Sequence, residues 1–222
     1  MDLKADIIHT VFQGGTGEIV MKKSRFIATV SPVSSEEEAL EFIEGLKKKH
    51  WDASHNCFAY IVGTKNPLMR CSDDGEPSKT AGKPMLDILL SHELTNLVVV
   101  VTRYFGGTLL GTGGLVKAYQ SAALEGLKQS LIIKKELGLR IRLTTDYHLI
   151  GKIQYFIGQE EFPILTSDYA DVVMLEVLVP TAKVITLEKK ITELSNGSIL
   201  PIVIEQVYFA IINKEVHLFQ IN

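Results

Sequence analysis

Between Gly106 and Gly114 the chain places five glycines, Gly106, Gly107, Gly111, Gly113 and Gly114, immediately after Arg103, Tyr104 and Phe105. Glycines at the junction of a strand and a helix let backbone approach closely, and the first N–H groups of a helix carry partial positive charge. The turn can therefore hold an anion such as a phosphate, or it can serve tight turning and close helix-on-sheet packing. It is not a Walker A loop, because no Gly-Lys-Ser/Thr follows, and its spacing does not fit the dinucleotide fingerprint. Arg103 at the end of the strand can fork onto a phosphate or carboxylate ligand. Alternatively it can pair with Asp73 or Glu76 and clamp a loop to the glycine turn. Tyr104, Phe105 and Tyr119 can stack on bases or pack in the core.

A second polar block, Cys71 to Pro84, carries Asp73, Asp74, Glu76, Ser78, Lys79 and Thr80. Its Asp-Gly, Pro and Ala-Gly elements predict a long loop. The three acids can offer oxygen to a hard cation, but they lack the spacing of a calcium loop, so no metal is expected. His55 can act as a base and Ser78 or Thr80 as a nucleophile, yet no Gly-x-Ser-x-Gly joins them into a triad. Cys71 would be reactive if Arg103 or Lys79 lay beside it. Cys57 reads as a core residue, and two cysteines define no disulfide framework. No catalytic residue and no cofactor is assigned.

These residues need a scaffold. Leu97 to Val101 is an unbroken apolar run, the pattern of a strand covered on both faces. Leu115, Ala118, Tyr119, Ala122, Ala123 and Leu127 recur at helical spacing after the glycines. Residues 17–33 alternate as strands, and Ser35 with Glu38 forms a capping box for a helix that ends in Lys47-Lys48-Lys49. His55 to Val62 reads as a strand and Met85 to Leu90 as a short helix. From Leu139 the pattern is strand, helix, two strands, helix capped at Asn196-Gly197, and a last strand from Ile202 to Ile211. That order describes a ferredoxin-like α/β sandwich. The fold class is α+β.

The glycine turn, the polar block, Lys22-Lys23-Ser24-Arg25-Phe26 and His55-Asn56-Cys57-Phe58-Ala59-Tyr60 occur in one order that resembles the signature of the YigZ/IMPACT family. The resemblance implies an IMPACT-like N-terminal domain over residues 1–135, of the ribosomal protein S5 domain 2 type, and a ferredoxin-like domain over 136–222. Such a pair is similar to the last two domains of the ribosomal translocase. In eukaryotic relatives it implies control of translation under stress, through competition for an activator of an initiation-factor kinase. The bacterial two-domain layout expected here, without the extra N-terminal domain of those relatives, leaves that kinase pathway aside.

Charge is uneven: residues 1–135 carry 16 Lys and Arg against 15 Asp and Glu, and 136–222 carry 7 against 11. Neither half has the basic excess of a dedicated nucleic-acid binder, so RNA contact would come from local patches. No apolar run approaches the ~20 residues that span a bilayer, and no signal peptide is recognised. A cytoplasmic protein with no membrane partner is expected. The leading expectation is a non-enzymatic protein that binds RNA or the ribosome through Lys22, Lys23, Arg25, His55, the 72–84 loop, Arg103, Tyr104 and the glycine turn. A sensor or enzyme for a phosphorylated small molecule or nucleotide at residues 106–114, and a module that binds another protein, remain as alternatives. The oligomeric state is left open.

Overall fold

The computed structural model describes residues 6–221 and divides into two compact units, the first ending at Lys134 and the second beginning at Lys135. The first unit runs β1 (Ile7–Gln13), β2 (Thr16–Met21), β3 (Ser24–Pro32), α1 (Glu36–Lys49), β4 (His55–Val62), β5 (Leu68–Ser72), α2 (Gly82–Ser91), β6 (Leu97–Tyr104) and α3 (Thr112–Lys128). Five strands form a sheet in the order β2-β3-β6-β4-β5. Central β6 pairs antiparallel with both β3 and β4.

Strand alternation distributes two cores over the two faces of this sheet. Phe26, Ala28 and Val30 of β3, Cys57, Ala59 and Ile61 of β4, and Leu97, Val99 and Val101 of β6 pack beneath α2 and α3. Tyr60, Val98 and Val100 pack on the opposite face against Ala39, Ile43 and Leu46 of α1. Helices on both sides explain why β6 is apolar at every position from Leu97 to Val101, although its neighbours are antiparallel.

Helix α1 starts at Ser35, whose hydroxyl accepts from Glu38 N–H at 3.2 Å. The reciprocal half of the box goes elsewhere, since the Glu38 carboxylate accepts from both Ser34 N–H and Ser34 Oγ–H at 2.7 Å. The polar loop is shorter than its composition predicts. Cys71 and Ser72 complete β5, and Gly82, Lys83 and Pro84 form the first turn of α2. Proline is tolerated there because first-turn N–H groups have no intrahelical acceptor.

The second unit contains β7 (Leu131–Thr145), α4 (Ile150–Gln159), β8 (Ile164–Tyr169), β9 (Val173–Pro180), a 3₁₀ turn (Thr181–Lys183), α5 (Val184–Ser195), β10 (Ile202–Ile212) and β11 (Glu215–Phe219). Its strands lie in the order β11-β10-β7-β9-β8. Ile153, Phe156 and Ile157 of α4 and Leu187 and Ile191 of α5 share one core with Ile141, Leu143, Leu175 and Val177 of the sheet. Two features depart from expectation. β7 begins at Leu131 rather than Leu139, and its ladder pairing with β10 reaches back through Leu137 to Glu136, past the apolar pattern that marked Leu139 as the start. β10 is followed by β11 through Asn213 and Lys214, both left-handed at φ 51° and 70°, the geometry of a two-residue hairpin turn.

Candidate functional site

Three adjacent strands of the first unit end in one rung. Arg103 of β6 stands opposite His55 of β4 on one side and Phe26 of β3 on the other. All three continue the alternation that buries Val101, Cys57 and Ala28 one rung deeper, so they face α3. Above the rung lies a cleft of about 520 Å³. Gly75, Glu76 and Pro77 of the polar loop form one wall, and Phe105, Leu109, Leu110, Gly111, Thr112 and Leu115 form another.

Arg103 is 5% exposed, and its Nη1 donates to Glu76 Oε1 at 2.6 Å. The guanidinium carbon lies 5.3 Å from the Phe26 ring centre and 5.6 Å from that of Phe105. Its Nε meets no acceptor among the described residues. Glu76 Oε1 also accepts from the Tyr119 hydroxyl at 2.7 Å. Cys57 Sγ lies 3.3 Å from that hydroxyl and donates to the Asp73 carbonyl at 3.0 Å. Burial pushes the Tyr119 phenol far above its usual range, with Cys57 and Glu76 adding to it. Burial does the same to the Cys57 thiol, and the Glu76, Asp74 and Asp73 charges reinforce it. Both groups stay protonated and act as hydrogen-bonding structure rather than as nucleophiles.

His55 Nδ1 lies 2.8 Å from the Asp74 carbonyl. A carbonyl only accepts, so Nδ1 carries a proton. Nε2 stands 3.9 Å from Glu76 Oε2.

The loop acids are turned inward to hold the loop, which removes them from the cation-binding role their composition allows. Asp73 accepts backbone N–H from Lys79 at 2.7 Å and from Ala81 and Gly82 at 2.9 Å, so it closes the loop and supports the start of α2. Burial pushes its carboxyl up, but the bonds from Lys79, Gly82 and Ala81 outweigh this and hold it below the usual carboxylate range. Asp74 accepts from Asn56 N–H at 2.6 Å, and the Thr80 hydroxyl donates to the Pro77 carbonyl at 2.6 Å. No cluster of three metal-ligating side chains occurs among the described residues. Ser78 and Lys79 are exposed on the loop, and the proximity that would activate Cys71 is not formed: burial and Asp73 push its thiol up.

In the glycine turn, Gly106 N–H donates to Ser24 Oγ at 3.1 Å, and a Cβ at Gly106 would lie 2.1 Å from the Lys23 carbonyl carbon. Close packing on the β2–β3 turn is therefore its role. Gly111 is the N-cap of α3 at φ 73° and supplies no side-chain cap. Gly107 is left-handed at φ 81°, and Gly113 and Gly114 lie within the first turn of α3.

The remaining expected residues lie elsewhere than the cleft. Arg25 and Tyr104 are paired on the opposite face of the sheet, with the guanidinium 5.8 Å from the ring centre. Arg25 Nε also donates to Glu18 Oε1 at 2.8 Å. The Tyr104 hydroxyl lies 3.0 Å from His50 Nδ1 and donates to Asp52 Oδ1 at 3.1 Å. Burial, with Lys49 adding, holds the His50 imidazole below its usual range. Next in the chain after His50, Trp51 is 83% exposed and is separated by that one residue from Lys47, Lys48 and Lys49 of the last turn of α1. Lys22 and Lys23 occupy the β2–β3 turn with left-handed φ of 46° and 69°. The expected single surface thus separates into an inner cleft around Arg103 and an outer face around Tyr104, because neighbouring residues of β6 point to opposite sides.

Sequence reasoning weighed Tyr119 as a stacking or core aromatic and took Thr112 with the glycine turn, but it missed Leu115 as a member of the inner site and Trp51 and His50 as members of the outer one. The spacing of Thr112, Leu115 and Tyr119 by three and four along α3 carries a signal for the first group. Trp51 follows the basic end of α1 with no periodicity to mark it.

The combination of a helix-covered antiparallel sheet, a glycine-rich strand-to-helix turn and a separate second α/β unit defines a two-domain α/β protein with an Impact-type first domain. Residues 22–127 match the Impact N-terminal domain, and residues 143–198 match a domain of unknown function, DUF1949. IMPACT family member YvyE of Bacillus subtilis (strain 168) is 42% identical over 85% of this chain and 87% of its own. IMPACT family member YigZ of Escherichia coli (strain K12) is 39% identical over 84% of this chain and 92% of its own. A crystal structure described as that of a hypothetical protein covers 91% of this chain and 99% of its own, with 37% identity and a TM-score of 0.58. The chain belongs to the IMPACT family. No helix among the described residues is long and apolar enough to cross a membrane.

Proposed function

We propose that this IMPACT-family protein is a non-enzymatic, cytosolic component that binds the translation apparatus through RNA contacts on its N-terminal unit. The observation that carries the reading is the strand order of the second unit. Within its β-α-β-β-α-β run, β10-β7-β9-β8 is the order fourth, first, third, second, with both helices in one core. This supports a ferredoxin-like fold after a first domain of the S5 domain 2 type, the pairing that resembles the end of the ribosomal translocase. Fold is an analogy for function, so the contact must come from particular side chains.

The outer face supplies them. An exposed Trp51 beside Lys48 and Lys49, with Arg25 stacked near Tyr104, combines cations with aromatic faces. That combination suits single-stranded RNA, where stacking is worth about 1–3 kcal/mol per base. Arg103 is a poor probe of this surface because it is buried against Glu76.

Co-sedimentation with ribosomes and separated subunits across a salt series tests the proposal. Saturable binding that falls with salt, and that a Trp51→Ala, Lys48→Gln, Lys49→Gln variant weakens roughly tenfold or more, is expected. Absence of binding at low salt would sink it.

A further inference from the structure

We infer that the cleft over the His55, Arg103 and Phe26 rung is a binding site for a small organic carboxylate with an apolar body. This goes beyond the translation reading and does not depend on it. The cleft, at about 520 Å³, has the size of a small-molecule site. Its floor holds the Arg103 guanidinium, 5% exposed and bonded through Nη1 to Glu76, while Nε meets no acceptor among the described residues. Buried donors are ordinarily satisfied, so the bonding around Arg103 is incomplete without a further acceptor.

The start of α3 adds a second attraction for an anion. Gly111 and Thr112 line the same cleft, the N-cap supplies no side-chain oxygen, and the first turn contains no acidic residue. The partial positive charge of that turn is therefore uncompensated by the protein. Charge balance sets the valence of the ligand. Glu76 cancels Arg103, which leaves the helix start to attract it. That favours a monoanion over a phosphate dianion. Phe105, Leu110 and Leu115 give the apolar wall, and Leu109 stands 82% exposed at the rim, where an apolar ligand body would cover it.

The test is calorimetry and thermal denaturation of the full chain with benzoate and 3-phenylpropionate, with benzamide as the neutral match and inorganic phosphate as the dianion. Arg103→Ala risks unfolding, so the informative variant is Thr112→Asp at the exposed start of α3. An acid there favours the helix and repels a bound anion. Saturable carboxylate binding, absent with benzamide and weakened about tenfold in Thr112→Asp without a fall in melting temperature, is the expected result. Four outcomes would each overturn the assignment: no saturable carboxylate binding, equal binding of benzamide, binding of phosphate in place of carboxylate, or undiminished binding by Thr112→Asp. None of them bears on ribosome co-sedimentation.

Discussion

Arg103 Nη1 and Glu76 Oε1 meet at 2.6 Å inside the first unit and tie the end of the central strand to the middle of the polar loop. The ion pair has side chains only 7% and 3% exposed, and Tyr119 donates to the same carboxylate oxygen. It fixes the loop against α3 and so forms one wall of the cleft.

Breaking such a pair from one side leaves a buried charge alone. Glu76→Ala and Arg103→Ala should each lose about 3–5 kcal/mol of stability in urea denaturation. A combined Arg103→Met, Glu76→Leu chain should lose much less than the sum. Additive losses would show that the two charges do not depend on one another.

Asp73 predicts an acid-sensitive loop. Folding holds its carboxyl below the usual 3.8, against the opposing effect of burial. A carboxyl lowered by folding adds stability above its unfolded value and loses it as pH falls through the folded one. Stability should therefore decline as the pH drops below about 4, and Asp73→Asn should flatten part of that decline. At neutral pH the variant should cost roughly 1–3 kcal/mol, because an amide nitrogen cannot accept from the backbone donors. An unchanged pH profile would remove Asp73 as a cause.

Two glycines of one turn should respond oppositely to alanine. At Gly106 a Cβ would lie 2.1 Å from the Lys23 carbonyl carbon, so backbone must move. Loss of more than about 2 kcal/mol is expected. A Cβ at Gly113 meets nothing within 4 Å, and its position within α3 favours a gain of about 0.4–1 kcal/mol. Equal effects in a thermal melt would contradict the close-approach account.

The two cysteines should differ in reactivity. Cys57 is fully buried and its thiol is raised by burial, whereas Cys71 is exposed at the end of β5. A disulfide thiol reagent at mildly alkaline pH should modify one thiol in the native protein and two in denaturant. Rapid modification of both in the native state would show that the loop opens.

Much of the scaffold follows from local pattern. Ser35 and the acidic and basic ends of α1 mark a helix by capping and dipole alone, and the apolar run of β6 requires cover on both faces. The alternation of the second unit marks its strand and helix order, while Asn213-Lys214 hides β11 because the turn residues are not glycines. The same local logic groups Arg103 with Tyr104, and there it fails. Adjacent strand residues face opposite ways, so one closes the cleft and the other joins His50 and Arg25 outside.

What the amino-acid sequence determined by itself is the set of elements and the special backbone of the glycine turn, since both depend on residues close in the chain. Only the tertiary structure decided which of Asp73, Asp74 and Glu76 meets Arg103. Each acid is chemically able to do so, and the choice depends on how backbone N–H groups of the loop consume Asp73, how Asn56 consumes Asp74, and how Tyr119 of a distant helix supports Glu76. Selection among equivalent charges rests on long-range geometry and desolvation, which no local spacing encodes.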